Sequence, residues 1–208
     1  FLDMVKKADV VVENYRPGVM DKLGLGYDVL KEVNDRIIYA AVSGFGCYGP
    51  YSQRPGYDII AQAMGGLMSI TGEEGRQPLR VGNAMGDVLG GMNLTIGILT
   101  ALHARTITGK GQRVDVSLVD SVVSSLETGI QRFFASGKQP ELMGNRYASA
   151  YPYDAFKAKD GRFVIGCAND KLFTLLCTKV LDREDLLSDD RFDTNVKRCD
   201  NYAELKPE

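Results

Sequence analysis

Two short apolar runs constrain the fold most strongly. Asp9-Val10-Val11-Val12-Glu13 and Ile37-Ile38-Tyr39-Ala40-Ala41-Val42 are each of strand length and free of Gly and Pro. Between them lie the turn Asn14-Tyr15-Arg16-Pro17-Gly18, a short helix reaching Leu23 and a second helix from Tyr27 to Val33. Parallel strands cannot be joined by a tight turn and need a crossover, which a helix supplies. Strand, helix and strand in succession therefore predicts a parallel α/β sheet. Arg113-Val114-Asp115-Val116-Ser117 reads as a further short alternating strand.

The intervening sequence is mostly helical. After a long Gly-, Pro- and Tyr-rich loop from Ser43 to Gly56, the spacing of Ile60, Ala63, Met64, Leu67 and Met68 predicts a helix from about Tyr57 to Ile70. The helix after Asp87 places Leu89, Met92, Ile96, Leu99 and His103 on one face, expected to be its packed face. It stops at Thr108-Gly109-Lys110-Gly111, where glycines follow the last turn. From Leu118, apolar residues at helical spacing run to Phe133, and Gly137 closes that helix. Residues 1–140 read as one large domain, 141–152 as a linker, and 153–208 as the beginning of a small domain. In the last, Asp160-Gly161 between two strand-like runs predicts a hairpin. A helix from Asp170 to Leu181 and another from near Asn201 complete the chain.

A net charge of −2 gives no global attraction to nucleic acid or to an anionic membrane, so an anionic ligand would need a local basic cluster. No run of about 18 uninterrupted apolar residues is present, and no membrane partner is expected. Cys47, Cys167, Cys177 and Cys199 form no CxxC pair, and His103 is the only histidine. No metal site or small disulfide framework is expected, which points to a reducing, cytoplasmic compartment. Both ends read as elements in progress, so a longer protein is expected.

Several motifs carry possible chemistry. Gly44-Phe45-Gly46-Cys47-Tyr48-Gly49 matches GxGxxG after a strand, but Pro50, Pro55 and Gly56 follow. A dinucleotide loop needs a helix to begin within it, so a flexible close-approach loop is the expectation. Thr108 to Gln112 sits at a helix C-terminus, whose negative partial charge repels phosphate. His103 has no Ser or Cys motif beside it and reads as a packed or interface residue. Asp87, between Gly86 and an apolar run, has two readings. It is a standard N-cap, and it is also a carboxylate that a helix N-terminus would keep ionised and able to act as a nucleophile. Asn14, Tyr15, Arg16, Lys22, Arg54 and Arg80 lie near predicted loop ends and could hold phosphates and a purine ring; singly, each also reads as a solvated surface group.

Taken in order, Val11-Val12-Glu13-Asn14-Tyr15-Arg16-Pro17-Gly18, Leu23-Gly24, Ser43-Gly44-Phe45-Gly46, Gly56-Tyr57-Asp58, Met85-Gly86-Asp87 and Thr108-Gly109-Lys110-Gly111-Gln112 resemble the class III CoA-transferases over nearly the whole chain. The resemblance implies a Rossmann-like parallel sheet lacking its N-terminal part, followed by the start of a smaller α+β domain. It implies an acyl-CoA:carboxylate CoA-transferase with Asp87 as nucleophile, passing through aspartyl anhydride and aspartyl-CoA thioester intermediates. Asn14, Tyr15, Arg16, Lys22, Arg54 and Tyr57 would contact coenzyme A, which is substrate and not a resident cofactor. An interlocked homodimer is also implied. The family's α-methylacyl-CoA racemase branch carries a histidine where this chain has Tyr57, a poor base at neutral pH, so transfer is expected over epimerisation. A non-catalytic CoA-binding remnant is the alternative from another class.

Overall fold

The computed structural model describes residues 1–208, which divide into two compact units. The first comprises Phe1–Thr71 with Pro78–Glu141, and the second comprises Gly72–Gln77 with Leu142–Glu208.

The first unit begins with α1 (Leu2–Val5), β1 (Val10–Glu13), α2 (Val19–Lys22), α3 (Tyr27–Val33) and β2 (Ile38–Ser43). It continues through α4 (Asp58–Met64) and the long α5 (Met85–Thr108) to β3 (Arg113–Ser117), α6 (Leu118–Ser124) and α7 (Thr128–Ser136). The sheet order is β1-β2-β3, all parallel, with Val10 opposite Ile38 and Ser43 opposite Ser117. The mixed α/β class with a parallel sheet is thus as the strand-helix-strand pattern predicts.

Central strand β2 is covered on both faces, which suits its unbroken apolar composition. Tyr39 and Ala41 join Val5, Met20, Leu30 and Ile37 in one core cluster. On the opposite face, Val42 packs with Ala61, Leu118 and Val122.

Helix α5 packs differently from its apolar periodicity. Met92, Ile96 and Leu99 are more than half exposed, and His103 is exposed with them. The buried positions are Gly86, Gly90, Leu94 and Ala101, spaced by four and seven residues along one stripe. Small residues win because the sheet lies too close for larger ones. A Cβ on Gly90 would run into Leu118, and one on Gly97 would lie 2.6 Å from Val114 Cγ1. By length and composition α5 could also cross a membrane, with a mean hydropathy of 1.3. Gly109 ends it in the left-handed conformation, as a helix-to-strand turn requires.

Two expected helices are interrupted. The helix beginning at Tyr57 stops at Met64, and after Gly65-Gly66 only one tight turn, Met68–Ile70, follows. The helix from Leu118 splits into α6 and α7. There the Ser124 and Ser125 hydroxyls donate to the carbonyls of Ser121 and Val122, and Glu127 turns to φ +41°.

The second unit contains the predicted hairpin, β4 (Tyr153–Lys157) antiparallel to β5 (Arg162–Gly166). Three helices follow: α8 (Asp170–Leu176), widened by one turn to Leu181, then α9 (Asn195–Asp200) and α10 (Tyr202–Leu205). Of the stretch 141–152, expected as a linker, the residues from Leu142 on belong to this unit, and Tyr151 lies in its core beside Phe173, Phe192 and Leu205. Arg198 is fully buried and holds the Tyr151 and Phe192 carbonyls and the Asp170 carboxylate at 2.7–2.9 Å.

Candidate active site

The three parallel strands end side by side at Glu13, Ser43 and Ser117, and a cleft of about 560 Å³ opens beyond them within the first unit. Open parallel sheets bind ligands at this edge, where loops diverge past the carboxyl ends of the strands. Asn14, Tyr15 and Arg16 line the cleft from the loop after β1, Arg54 and Tyr57 from the segment before α4, and Asp87 from α5. Lys22, exposed on α2, is not among the lining residues, and neither are Arg76 and Arg80.

Local hydrogen bonds hold each wall. Asn14 Nδ2 donates to the Val42 carbonyl at 2.7 Å, which ties the loop after β1 to the end of β2. Glu13 is buried and accepts the Tyr15 N–H at 2.7 Å and the Tyr39 hydroxyl at 3.1 Å. The Gly44–Gly49 loop starts no helix, as expected from the prolines that follow it. Instead the Cys47 N–H donates to Asp115 at 2.9 Å, and burial with Asp115 nearby pushes the Cys47 thiol up to about 11. The Arg54 guanidinium lies 4.2 Å from the Tyr51 ring centroid, and that ring meets Phe45 edge-on. Ser43 also lines the cleft; its Oγ is buried without a hydrogen-bond partner.

Asp87 differs from the capping picture. It is the third residue of α5, not its N-cap; Ala84 occupies the cap position, and no side chain of α5 caps the helix. Its carboxyl is pushed up from the ordinary aspartate value, first by partial burial and then by the negative charge of Asp58. The helix N-terminus is expected to favour the ionised form; burial and this second carboxylate act in the opposite direction. Asp58 Oδ1 accepts the Gly86 N–H at 2.8 Å, one residue before Asp87. Asp58, part of the Gly56-Tyr57-Asp58 motif, and Gln62 carry no role in the sequence-based expectations. Their spacing of four residues on an expected helix, next to Tyr57, was the available signal.

The architecture and cleft define an α/β protein with a carboxylate in the first turn of a long helix and basic side chains lining the same cleft. Residues 1–208 match CoA-transferase family III along their whole length, and the chain belongs to that family. It is 46% identical over 207 residues to acetyl-CoA:oxalate CoA-transferase of Acetobacter aceti, covering 99% of this chain and 53% of that protein. It is 39% identical over 203 residues to succinyl-CoA:glutarate CoA-transferase of Homo sapiens, covering 98% and 46%. The crystal structure of a CAIB/BAIF family protein from Brucella suis superposes with a TM-score of 0.85 at 42% identity, covering 99% and 54%. The chain therefore spans about half the length of the relatives it matches.

Proposed function

We propose that this chain carries the nucleophile-bearing part of an enzyme that moves coenzyme A from an acyl-CoA to a carboxylic acid, with Asp87 as the nucleophile. The observation that carries the proposal is that Asp87 lines the same cleft as Arg16 and Arg54, in a chain of this family.

The chemistry suits a site of this composition. An Asp87 oxygen attacks the thioester carbonyl, the C–S bond breaks, and CoA thiolate leaves with the electron pair, forming a mixed anhydride. The thiolate attacks the aspartyl carbonyl, releases the donor acid as a carboxylate and leaves an aspartyl-CoA thioester. The acceptor carboxylate attacks that thioester to form a second anhydride and release thiolate. The thiolate then takes the acceptor's acyl group and frees Asp87. Every leaving group departs as an anion, so no step needs a histidine acid or base, and the cleft lining contains none.

Arg16 and Arg54 supply cations for the phosphates of coenzyme A. Tyr15 and Tyr57 are 58% and 76% exposed, which leaves ring faces open for stacking.

The test uses the full-length protein with an acyl-CoA, followed by quench, digestion and mass spectrometry. An acyl or CoA adduct on the Asp87 peptide is expected. Full CoA transfer retained in Asp87→Ala would sink the reading. Exchange of the α-proton with solvent deuterium, without transfer to an acceptor acid, would support epimerisation instead.

A further inference from the structure

Asp58 and Gln62 sit one turn apart on α4 and face the entry to α5. Gln62 is fully buried. Its Nε2 donates to the Asp58 carboxylate oxygens at 2.9 and 3.1 Å and to the Asn83 carbonyl at 3.2 Å, while its Oε1 accepts the Val81 N–H at 2.9 Å. Asp58, held in this way, accepts the Gly86 N–H. Gly86 is pressed against the same helix, since a Cβ there would lie 3.0 Å from Ala61 Cβ. The segment leading to Asp87 is therefore fastened by two side chains of α4, one of which supplies the cap that α5 lacks.

A neutral Asn or Ser could accept one N–H as well as Asp does. A carboxylate adds a negative charge beside Asp87, at a cost while Asp87 is ionised. That cost is removed when Asp87 becomes an ester-like acyl group. We propose that Asp58 is a positioning residue of the reaction: anchored by Gln62, it caps α5 from outside to aim Asp87, and its charge favours conversion of the Asp87 carboxylate into a neutral acyl intermediate.

This rests on Asp87 being the nucleophile. In the acylation step the Asp87 oxygen bonds to the thioester carbon and the C–S bond breaks. The negative charge then leaves Asp87 with the thiolate, away from Asp58. When the acyl group is passed on, the repulsion returns and Asp87 is ready for the next donor. Burial raises the Asp87 carboxyl most, and Asp58 on α4 is the charged group that raises it further; the cleft-lining Arg16 and Arg54 do not offset this. A more basic carboxylate is also the stronger nucleophile, so the ground state and the intermediate are both biased toward reaction.

The experiment compares Asp58→Asn and Asp58→Ala with wild type in the full-length enzyme. It follows single-turnover release of CoA thiolate from an acyl-CoA across a range of pH. Asp58→Asn keeps an oxygen for the Gly86 N–H and removes the charge. Its acylation rate should fall about tenfold with KM for the acyl-CoA unchanged. The acidic limb of the rate, where Asp87 becomes protonated, should move to lower pH. Asp58→Ala also removes the cap and should lose about another factor of ten. A wild-type rate and acidic limb in Asp58→Asn would overturn the proposal. So would a slower enzyme whose acidic limb stays in place, because a purely structural cap would behave that way. Asp87→Ala keeps the two questions apart. If it still transfers CoA, the nucleophile assignment fails; if it is inert while Asp58→Asn matches wild type, only the role of Asp58 fails.

Discussion

Gly44 and Gly56 touch backbone to backbone across the base of the cleft. A Cβ on Gly44 would lie 2.5 Å from Gly56 Cα, and one on Gly56 would lie 2.8 Å from Gly44 Cα. Both residues line the cleft, and the contact sets how closely the end of β2 approaches the segment carrying Arg54 and Tyr57. Neither glycine can be replaced without moving one wall against the other.

Gly44→Ala is therefore expected to cost about 1–3 kcal/mol through overpacking. It should also weaken acyl-CoA binding. Urea unfolding and KM measured on the full-length protein check the two effects separately.

Adjacent glycines on α5 should respond with opposite signs. At Gly90 an added methyl collides with Leu118, while at Gly91 nothing lies within 4 Å. Gly91→Ala should stabilise by about 0.5–1 kcal/mol through helix propensity. Gly90→Ala should instead destabilise by about 1–3 kcal/mol, because overpacking outweighs the propensity gain. Thermal unfolding of the pair tests whether α5 rests on the sheet through its small residues.

The charge of Asp87 should cost stability at neutral pH. Its carboxyl is raised in the folded state, so its favourable contribution is present below the ordinary aspartate range and lost as pH rises through the raised value. Asp87→Asn should accordingly be more stable than wild type at pH 7. The side chain is exposed and screened, so the gain should be on the order of a few tenths of a kcal/mol. It should vanish below about pH 4, where wild type is protonated as well. Melting temperatures at the two pH values decide this.

In the second unit, Arg198 is fully buried with three acceptors and lies over the Phe173 ring, 4.2 Å from its centroid. Arg198→Met fills much of the volume but strands two buried carbonyls, and should cost about 3–5 kcal/mol. Arg198→Lys should recover only part of this, since one ammonium cannot reproduce the planar fork. Chemical denaturation monitored through the tyrosines that surround this core reports the loss.

The elements were legible where local rules act alone. The three strands, the Tyr27–Val33 helix, the Gly109 stop and the Asp160-Gly161 hairpin all follow from apolar runs bounded by turn residues. The packed face of α5 was not, because its sequence carries two stripes that could face inward. Apolar periodicity marks Leu89, Met92, Ile96 and Leu99, while the glycine and alanine stripe marks closest approach. Only the close approach of Val114 on β3 and Leu118 on α6 to the helix selects between them.

Asp87 shows the same division at the candidate site. Its place before an apolar run, among ordered motifs, was enough to single it out from the sequence alone. Its environment was not readable there. Burial, and after it the charge of Asp58, pushes the Asp87 carboxyl up, and the same Asp58, 28 residues before Gly86, caps the Gly86 N–H. Sequence alone determined the α/β class and the turn chemistry, because those depend on neighbours along the chain, and the resemblance carried by its ordered motifs marked the candidate carboxylate. Tertiary structure decided which face of α5 is buried, that Lys22 lies outside the cleft, and that two carboxylates share one helix end. Hydrogen bonding and Coulomb interactions act through space, between residues that the linear order keeps apart.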